Sequence, residues 1–78
     1  MRGKVLIDYS FDKIEFAVFC VENVALKLGM DSILVYEKLK TSGILDNYIM
    51  SSYEVLHTQG KEYIVDDIID LMSIKGVA

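Results

Sequence analysis

The chain has 78 residues and a formal net charge of −4 at pH 7, and 53% of its residues are hydrophobic. This length fits one domain with a small core and a thin margin of stability, and it excludes a second domain. The single cysteine excludes an intramolecular disulfide, and no Cys/His spacing typical of zinc ligands is present, so no metal or other cofactor is expected.

The N-terminal residues and the main apolar run both indicate a protein that is neither secreted nor inserted in a membrane. Residues 1–4 are basic, but only three apolar residues follow before Asp8, which is too few for a signal peptide. The apolar run at residues 16–21 is much too short to cross a bilayer. The free thiol of Cys20 suits a reducing compartment. We therefore expect a soluble, cytoplasmic protein with no membrane contact.

The chain is predicted to consist of a short arm followed by one domain. Residues 1–9 are predicted to form an extended N-terminal arm with no obvious partner strand. Ser10 is a suitable N-cap, so its hydroxyl can accept a hydrogen bond from the first turn of a helix. A single helical domain is predicted over residues 10–78.

Glycine and aspartate divide this domain into helices, since the chain contains no proline. Gly29 and Gly43 are suitable C-terminal stops, and Asp31 and Asp46 are suitable N-caps for the helices that follow. Four helices are predicted, over residues 11–28, 32–41, 47–57 and 62–74. The predicted fold is all-α, a compact bundle of four short helices joined by short turns.

Helical periodicity separates a core stripe from the rest of each long helix. On the first helix the predicted core residues are Ile14, Ala17, Val18, Val21, Val24, Ala25 and Leu28. On the fourth they are Ile64, Val65, Ile68, Leu71 and Met72.

Four large apolar side chains lie off these stripes, among charged residues. They are Phe16, Phe19 and Leu26 on the first helix and Leu34 on the second. A central helix can be covered nearly all round, in which case these side chains belong to the core. Otherwise they form a contact surface for a protein partner or for a second copy of the chain, and they are therefore the candidate partner-binding residues.

The segment from Ala25 through Gly29 to Val35 resembles the helix-turn-helix of bacterial repressors and resolvases. There a small residue lets two helices approach, glycine makes the turn and a β-branched residue anchors the second helix. The exposed start of the second helix would have to read bases, but it carries Asp31 and Leu34 instead of arginine, asparagine or glutamine. Residues 44–78 also contain six acidic and two basic residues. The predicted helix-turn-helix-like segment is therefore not expected to bind specific DNA.

The reactive residue types do not form a catalytic pattern. His57 is the sole histidine, and Cys20 lies mid-helix among apolar residues, where a thiolate is disfavoured. We interpret His57 and Gln59 as structural caps of a helix C-terminus. The three acids Asp66, Asp67 and Asp70 are interpreted as a solvated helix face, since a divalent cation would need more oxygen ligands. No enzymatic activity and no small-molecule substrate are expected.

About three-quarters of the chain resembles a small, all-helical bacterial domain family of unknown function. The stretch His57-Thr58-Gln59-Gly60-Lys61 is its most distinctive part. The likeness also rests on residue 16 and on residues 21–23, 35–43, 45–49 and 53–68. The resemblance implies a helical protein with no assigned activity, often encoded beside ADP-ribosyltransferase-like proteins.

These features favour a non-enzymatic protein-interaction module over an enzyme. The resemblance implies an accessory or antitoxin-like partner of an ADP-ribosyltransferase-like protein. The alternative is a small transcriptional regulator built on the helix-turn-helix-like segment. A protein partner or homo-oligomer is expected in the first case, and DNA in the second.

Overall fold

The computed structural model describes the backbone of residues 2–77 and the side chains of residues 12–77. Its elements are α1 (Arg2–Leu28), α2 (Ser32–Thr41), a π-helix (Leu45–Met50), α3 (Tyr53–Leu56) and α4 (Lys61–Ile74). No strand occurs in residues 2–77, so the all-α prediction is confirmed, although the helices number five, two of them very short. None of the helices in this range has both the length and the apolar character needed to span a bilayer.

The first helix corrects the predicted N-terminal arm. α1 begins at Arg2, so residues 2–9 are helical and Ser10 lies within the helix instead of capping it. No proline interrupts this part of the chain. Once the turns near the core have formed, each further residue adds a hydrogen bond without a new nucleation cost, and the helix extends.

The turn between α1 and α2 follows the predicted capping pattern. α1 ends at Leu28, and Gly29 adopts a positive φ of 68°, a conformation that glycine reaches without a Cβ clash. The Asp31 carboxylate then accepts a hydrogen bond from the Ile33 amide at 2.8 Å and caps α2. The predicted bounds of the second helix, residues 32–41, are confirmed.

The predicted third helix is instead two short elements. The π-helix covers Leu45–Met50, and α3 begins only at Tyr53. Asp46 lies within the π-helix, so its predicted capping role is wrong. At the break, the Ser51 hydroxyl donates a hydrogen bond to the Asn47 carbonyl at 2.7 Å, the kind of local bonding that competes with a regular helix.

The core lies where α1, α2, the π-helix and α4 meet. Fully buried side chains come from every one of these elements, among them Val24, Leu39, Ile49 and Ile68. The predicted stripe of α4 is confirmed at Ile64, Val65, Ile68 and Met72, while Leu71 is half-buried.

Two of the three aspartates on α4 join this helix to its neighbours. Asp66 forms an ion pair with Lys27 of α1, with 2.9 Å between Oδ1 and Nζ. The Tyr48 hydroxyl of the π-helix donates a hydrogen bond to Asp67. Burial and this bond to a carboxylate both raise the pKa of Tyr48, because they disfavour the phenolate. The acidic face of α4 is therefore partly engaged in tertiary contacts, a role that helical periodicity alone did not predict.

Candidate functional site

An apolar groove with a volume of about 490 Å³ lies between α1, α2 and the π-helix. Most of its lining is apolar. The lining residues are Ile14, Ala17, Val18, Val21, Glu22, Ser32, Ile33, Tyr36, Lys40, Leu45, Asp46 and Met50. We call this feature the α1–α2 groove.

Four large side chains of the α1–α2 groove are unusually exposed for their type. Their exposed fractions are 53% for Ile14, 52% for Val18, 68% for Ile33 and 44% for Tyr36. Ile14 and Val18 were predicted to lie in the core, and this prediction is wrong. Apolar side chains that gather at one concave site in this way are typical of a contact surface, because isolated exposed apolar groups are common but clusters are not.

One face of α2 forms a wall of the groove. Ile33, Tyr36 and Lys40 succeed one another at spacings of three and four residues and therefore share this face. Val35 and Leu39 of the same helix are buried in the core. Burial of that pair leaves the face with Ile33 and Tyr36 on the groove.

The opposite wall depends on the wider turn of the π-helix. Leu45 and Met50 are five residues apart and both line the groove. In an α-helix, residues five apart point in different directions, whereas the i to i+5 hydrogen bonding of a π-helix brings them to the same face. The π-helix thus places a second apolar side chain, Met50, in the groove.

Two carboxylates and one ammonium group lie among the apolar side chains of the groove. Asp46 lies 3.9 Å from Lys40, measured between Oδ2 and Nζ, and both side chains are exposed. Glu22 is exposed and forms no ion pair with any residue in the part of the chain whose side chains are described. The edge of the groove on α1 therefore carries a negative charge that no side chain of residues 12–77 pairs with.

Two of the sequence-predicted partner residues, Phe16 and Phe19, lie together in a row of aromatic rings. Their ring centroids are 6.2 Å apart, and the rings of Phe16 and Tyr53 form a T-shaped pair with centroids 5.4 Å apart. Tyr53 in turn stacks on His57 at 4.5 Å. Phe16 is half-buried against the core and Phe19 is exposed. Ring pairs of this kind hold α3 against α1.

The other two predicted partner residues lie elsewhere on the surface. Leu26 is exposed next to Lys27, Lys61 and Glu62, close to the start of α4. Leu34 is exposed on α2. Phe16 and Phe19 meet directly, whereas no ring contact or cavity described for residues 12–77 joins Leu26 or Leu34 to them. The role of all four residues in partner binding stays a prediction.

The helix end at His57 is held mainly by backbone groups. The His57 amide donates to the Tyr53 carbonyl at 3.0 Å, and the imidazole ring stacks on Tyr53. The Thr58 hydroxyl donates to the Val55 carbonyl at 2.7 Å, so a side-chain cap at this end comes from threonine. Gln59 is exposed, and its backbone N–H donates a hydrogen bond to the Leu56 carbonyl at 2.9 Å. Capping by the side chains of His57 and Gln59 stays a prediction.

The environment of Cys20 disfavours nucleophilic chemistry. Its thiol is fully buried, and burial raises its pKa to about 12, because the thiolate would lose its hydration. A nucleophilic cysteine needs the thiolate near neutral pH. His57 is exposed, in the row of rings with Tyr53. Over residues 12–77 no three acidic, histidine or cysteine side chains gather in a way that could hold a metal ion.

The α1–α2 groove is the surface that sequence reasoning missed, although a signal was present. The apolar stripe of α1 spans residues 14–28, about 20 Å of helix, whereas α2 has ten residues and crosses it over about 15 Å at most. A helix of that length cannot cover the whole stripe, even when the two axes are parallel. The predicted helix lengths therefore already indicated that α2 would leave part of the α1 stripe uncovered.

Comparisons with known proteins give one result. The family model DUF3791, described as a protein of unknown function, matches residues 15–75, from the part of α1 that meets the core to the end of α4. Searches of curated proteins and of solved structures returned no match. The matched range contains the whole core and nearly all of the groove. The chain therefore belongs to the DUF3791 family.

Proposed function

We propose that this chain is a non-enzymatic protein-interaction module and that it binds its partner at the α1–α2 groove. The observation that carries the proposal is the gathering of Ile14, Val18, Ile33 and Tyr36, all exposed, around one concave apolar site. Removing such side chains from water contributes about 1.5–3 kcal/mol each when burial is complete. A few of them at the centre of an interface can supply most of its affinity.

The environment of the reactive groups supports a role without catalysis. The Cys20 thiol is buried and its pKa is raised to about 12, so very little thiolate forms at neutral pH. The cavity beside His57 is lined by aromatic rings together with Asp12, Glu15 and Lys61, and no serine, threonine or cysteine is among its lining side chains. General acid–base catalysis needs a reacting group within hydrogen-bond reach.

The partner that we propose is the ADP-ribosyltransferase-like protein implied by the family resemblance, with the present chain as its accessory or antitoxin-like component. The test is co-expression of the chain with the product of the adjacent gene, followed by size-exclusion chromatography. We expect the two proteins to elute as one complex. Separate elution at micromolar concentration, with both proteins folded by circular dichroism, would contradict the proposed partnership.

The alternative function, a small transcriptional regulator, draws support from the turn after α1. Ala25 and Val35 are both buried, and Gly29 has the positive φ that a tight helix-turn-helix requires. The start of α2, however, exposes Ile33 and Leu34 where a DNA reader presents polar side chains. The turn thus suits the packing of a helix-turn-helix, but the apolar side chains at the start of α2 lack the polar groups that read DNA bases.

We therefore expect no specific DNA binding at physiological salt. The net charge of −4 opposes approach to a phosphate backbone, and apolar side chains at the start of α2 offer few hydrogen bonds to bases. The measurement is a titration of the chain against its own promoter in the presence of competitor DNA. A complex with a nanomolar dissociation constant that survives the competitor would promote the regulator to the leading function.

A further inference from the structure

The stripe of α1 that lines the groove continues a helix–helix interface that the chain itself forms. Val21 and Ala25 are buried in the same core cluster as Val35 and Leu39 of α2. Towards the N-terminus, Ile14 and Val18 continue the stripe at alternating spacings of four and three residues. Apolar residues at this alternating spacing form a seam, the stripe along which one helix packs against another.

One half of this seam is covered and the other half is open. A helix of the chain covers Val21 and Ala25, which are nearly inaccessible to solvent, whereas more than half of Ile14 and of Val18 is exposed. Ile33 and Tyr36 of α2 and Met50 of the π-helix border the open half. The continuity of the spacing indicates that the open half also fits a helix.

The charge next to the open seam indicates the sign of the charge that the partner segment carries. Glu22, directly after the seam residue Val21, is exposed and lines the groove. Glu15, seven residues earlier and directly after Ile14, is also exposed, and it lines the neighbouring cavity beside Phe16 and Tyr53. Positions next to a seam place their charges opposite the flanks of the helix that packs there. Neither glutamate forms an ion pair with a described residue. On the opposite wall the charge of the Asp46 carboxylate is offset by the Lys40 ammonium group at 3.9 Å, so the net negative charge of the groove lining comes from Glu22.

We propose that the open half of the groove binds an amphipathic α-helix of another protein, whose apolar stripe is flanked by lysine or arginine. This inference rests on the proposed function and names the chemistry of the partner segment. A second copy of α1 fits less well, because antiparallel pairing about the open seam would bring Glu15 and Glu22 towards the same glutamates of the partner copy. Like charges beside an interface disfavour association.

The test uses two synthetic helical peptides and the full-length chain. Both peptides carry leucine at alternating spacings of three and four residues, and they differ only in having lysine or glutamate at the flanking positions. Binding is measured by fluorescence anisotropy and located by amide chemical-shift changes. We expect the lysine peptide to bind at least tenfold more tightly than the glutamate peptide, with shifts at Val18, Ile33 and Tyr36.

Paired variants separate the groove from the rest of the surface. Ile33→Asp should weaken binding of the lysine peptide at least tenfold, whereas Val55→Asp, at an exposed site on α3 outside the groove, should leave it unchanged. Glu22→Gln should reduce the preference for lysine over glutamate. Asp70→Asn, an equal change of charge at an exposed site on α4, should leave this preference within about twofold. Circular dichroism of each variant verifies that the fold is retained.

Several outcomes would overturn the proposal. Equal binding of both peptides, or equal effects of Glu22→Gln and Asp70→Asn, would show that the groove does not select a basic helix. Loss of binding in Val55→Asp but not in Ile33→Asp would move the contact outside the groove. A wild-type dimer that Ile33→Asp dissociates would identify a second copy as the occupant. In a last outcome, neither peptide binds, but Ile33→Asp still disrupts the complex with the co-expressed partner. This result would refute a basic helix as the occupant of the groove and would leave the proposed function standing.

Discussion

Replacing Ile68 with alanine is expected to lower the free energy of unfolding by about 2–5 kcal/mol. Ile68 is fully buried at the middle of the α4 stripe, in one cluster with Val24 of α1 and Leu39 of α2. The change removes apolar area from the core and leaves a cavity that the surrounding helices fill only in part. Because small domains are stable by only about 5–15 kcal/mol, a large share of the total would be lost.

The measurement is urea denaturation followed by circular dichroism, with Ile33→Ala as the matched control. The control removes the same atoms from a side chain that is mostly exposed, so it should change the free energy of unfolding by no more than about 0.5 kcal/mol. If both variants lose the same amount, or if Ile68→Ala loses less than about 1 kcal/mol, the assignment of Ile68 to the centre of the core is wrong.

Raising the pH above about 9 is expected to destabilise the fold, in part through Cys20. Burial raises the pKa of this thiol from 9.0 to about 12. Between these values the unfolded chain has released the proton while the folded chain still holds it, so the free energy of unfolding falls as pH rises. Below pH 9 the thiol is protonated in both states, and its full contribution to the free energy of unfolding is present.

The control for this prediction is Cys20→Ala, which removes the titrating group. One group of this kind contributes a slope of at most about 1.4 kcal/mol per pH unit. The pKa of Tyr48 is also raised, so part of the alkaline loss should persist in the variant. We expect denaturation curves recorded from pH 8 to pH 11 to show a steeper loss for the wild type than for Cys20→Ala. Parallel slopes would contradict a buried, protonated Cys20.

Local chemistry explains why parts of the fold could be predicted. Gly29 and Asp31 form a turn and a cap through groups within two or three residues of each other, so the bounds of α2 follow from a short stretch of sequence. The stripe of α4 is equally local, because four large apolar residues recur at helical spacing and all face the core.

The candidate site could be predicted much less well. Helical periodicity shows which residues share a helix face, but it does not show whether another segment covers that face. Ile14 and Val18 lie on the same stripe as Val21 and Ala25, and nothing in their spacing distinguishes the exposed pair from the buried pair. Conversely, Phe16 lies off the stripe but is half-buried, because α3 brings Tyr53 against it. Whether a side chain is buried depends on which segment packs against it, and that segment can be far away along the chain.

The sequence by itself determined an all-α chain, the turn at Gly29, the extent of α2 and the apolar face of α4, because propensity, capping and periodicity act over a few residues. Tertiary structure alone decided that residues 45–56 divide into a π-helix and a short α-helix, and that Ile14 and Val18 of the α1 stripe remain exposed. These features depend on how many turns of one helix another can cover and on where the wider turn places Leu45 and Met50. Such quantities arise from packing between distant segments, which no local pattern records.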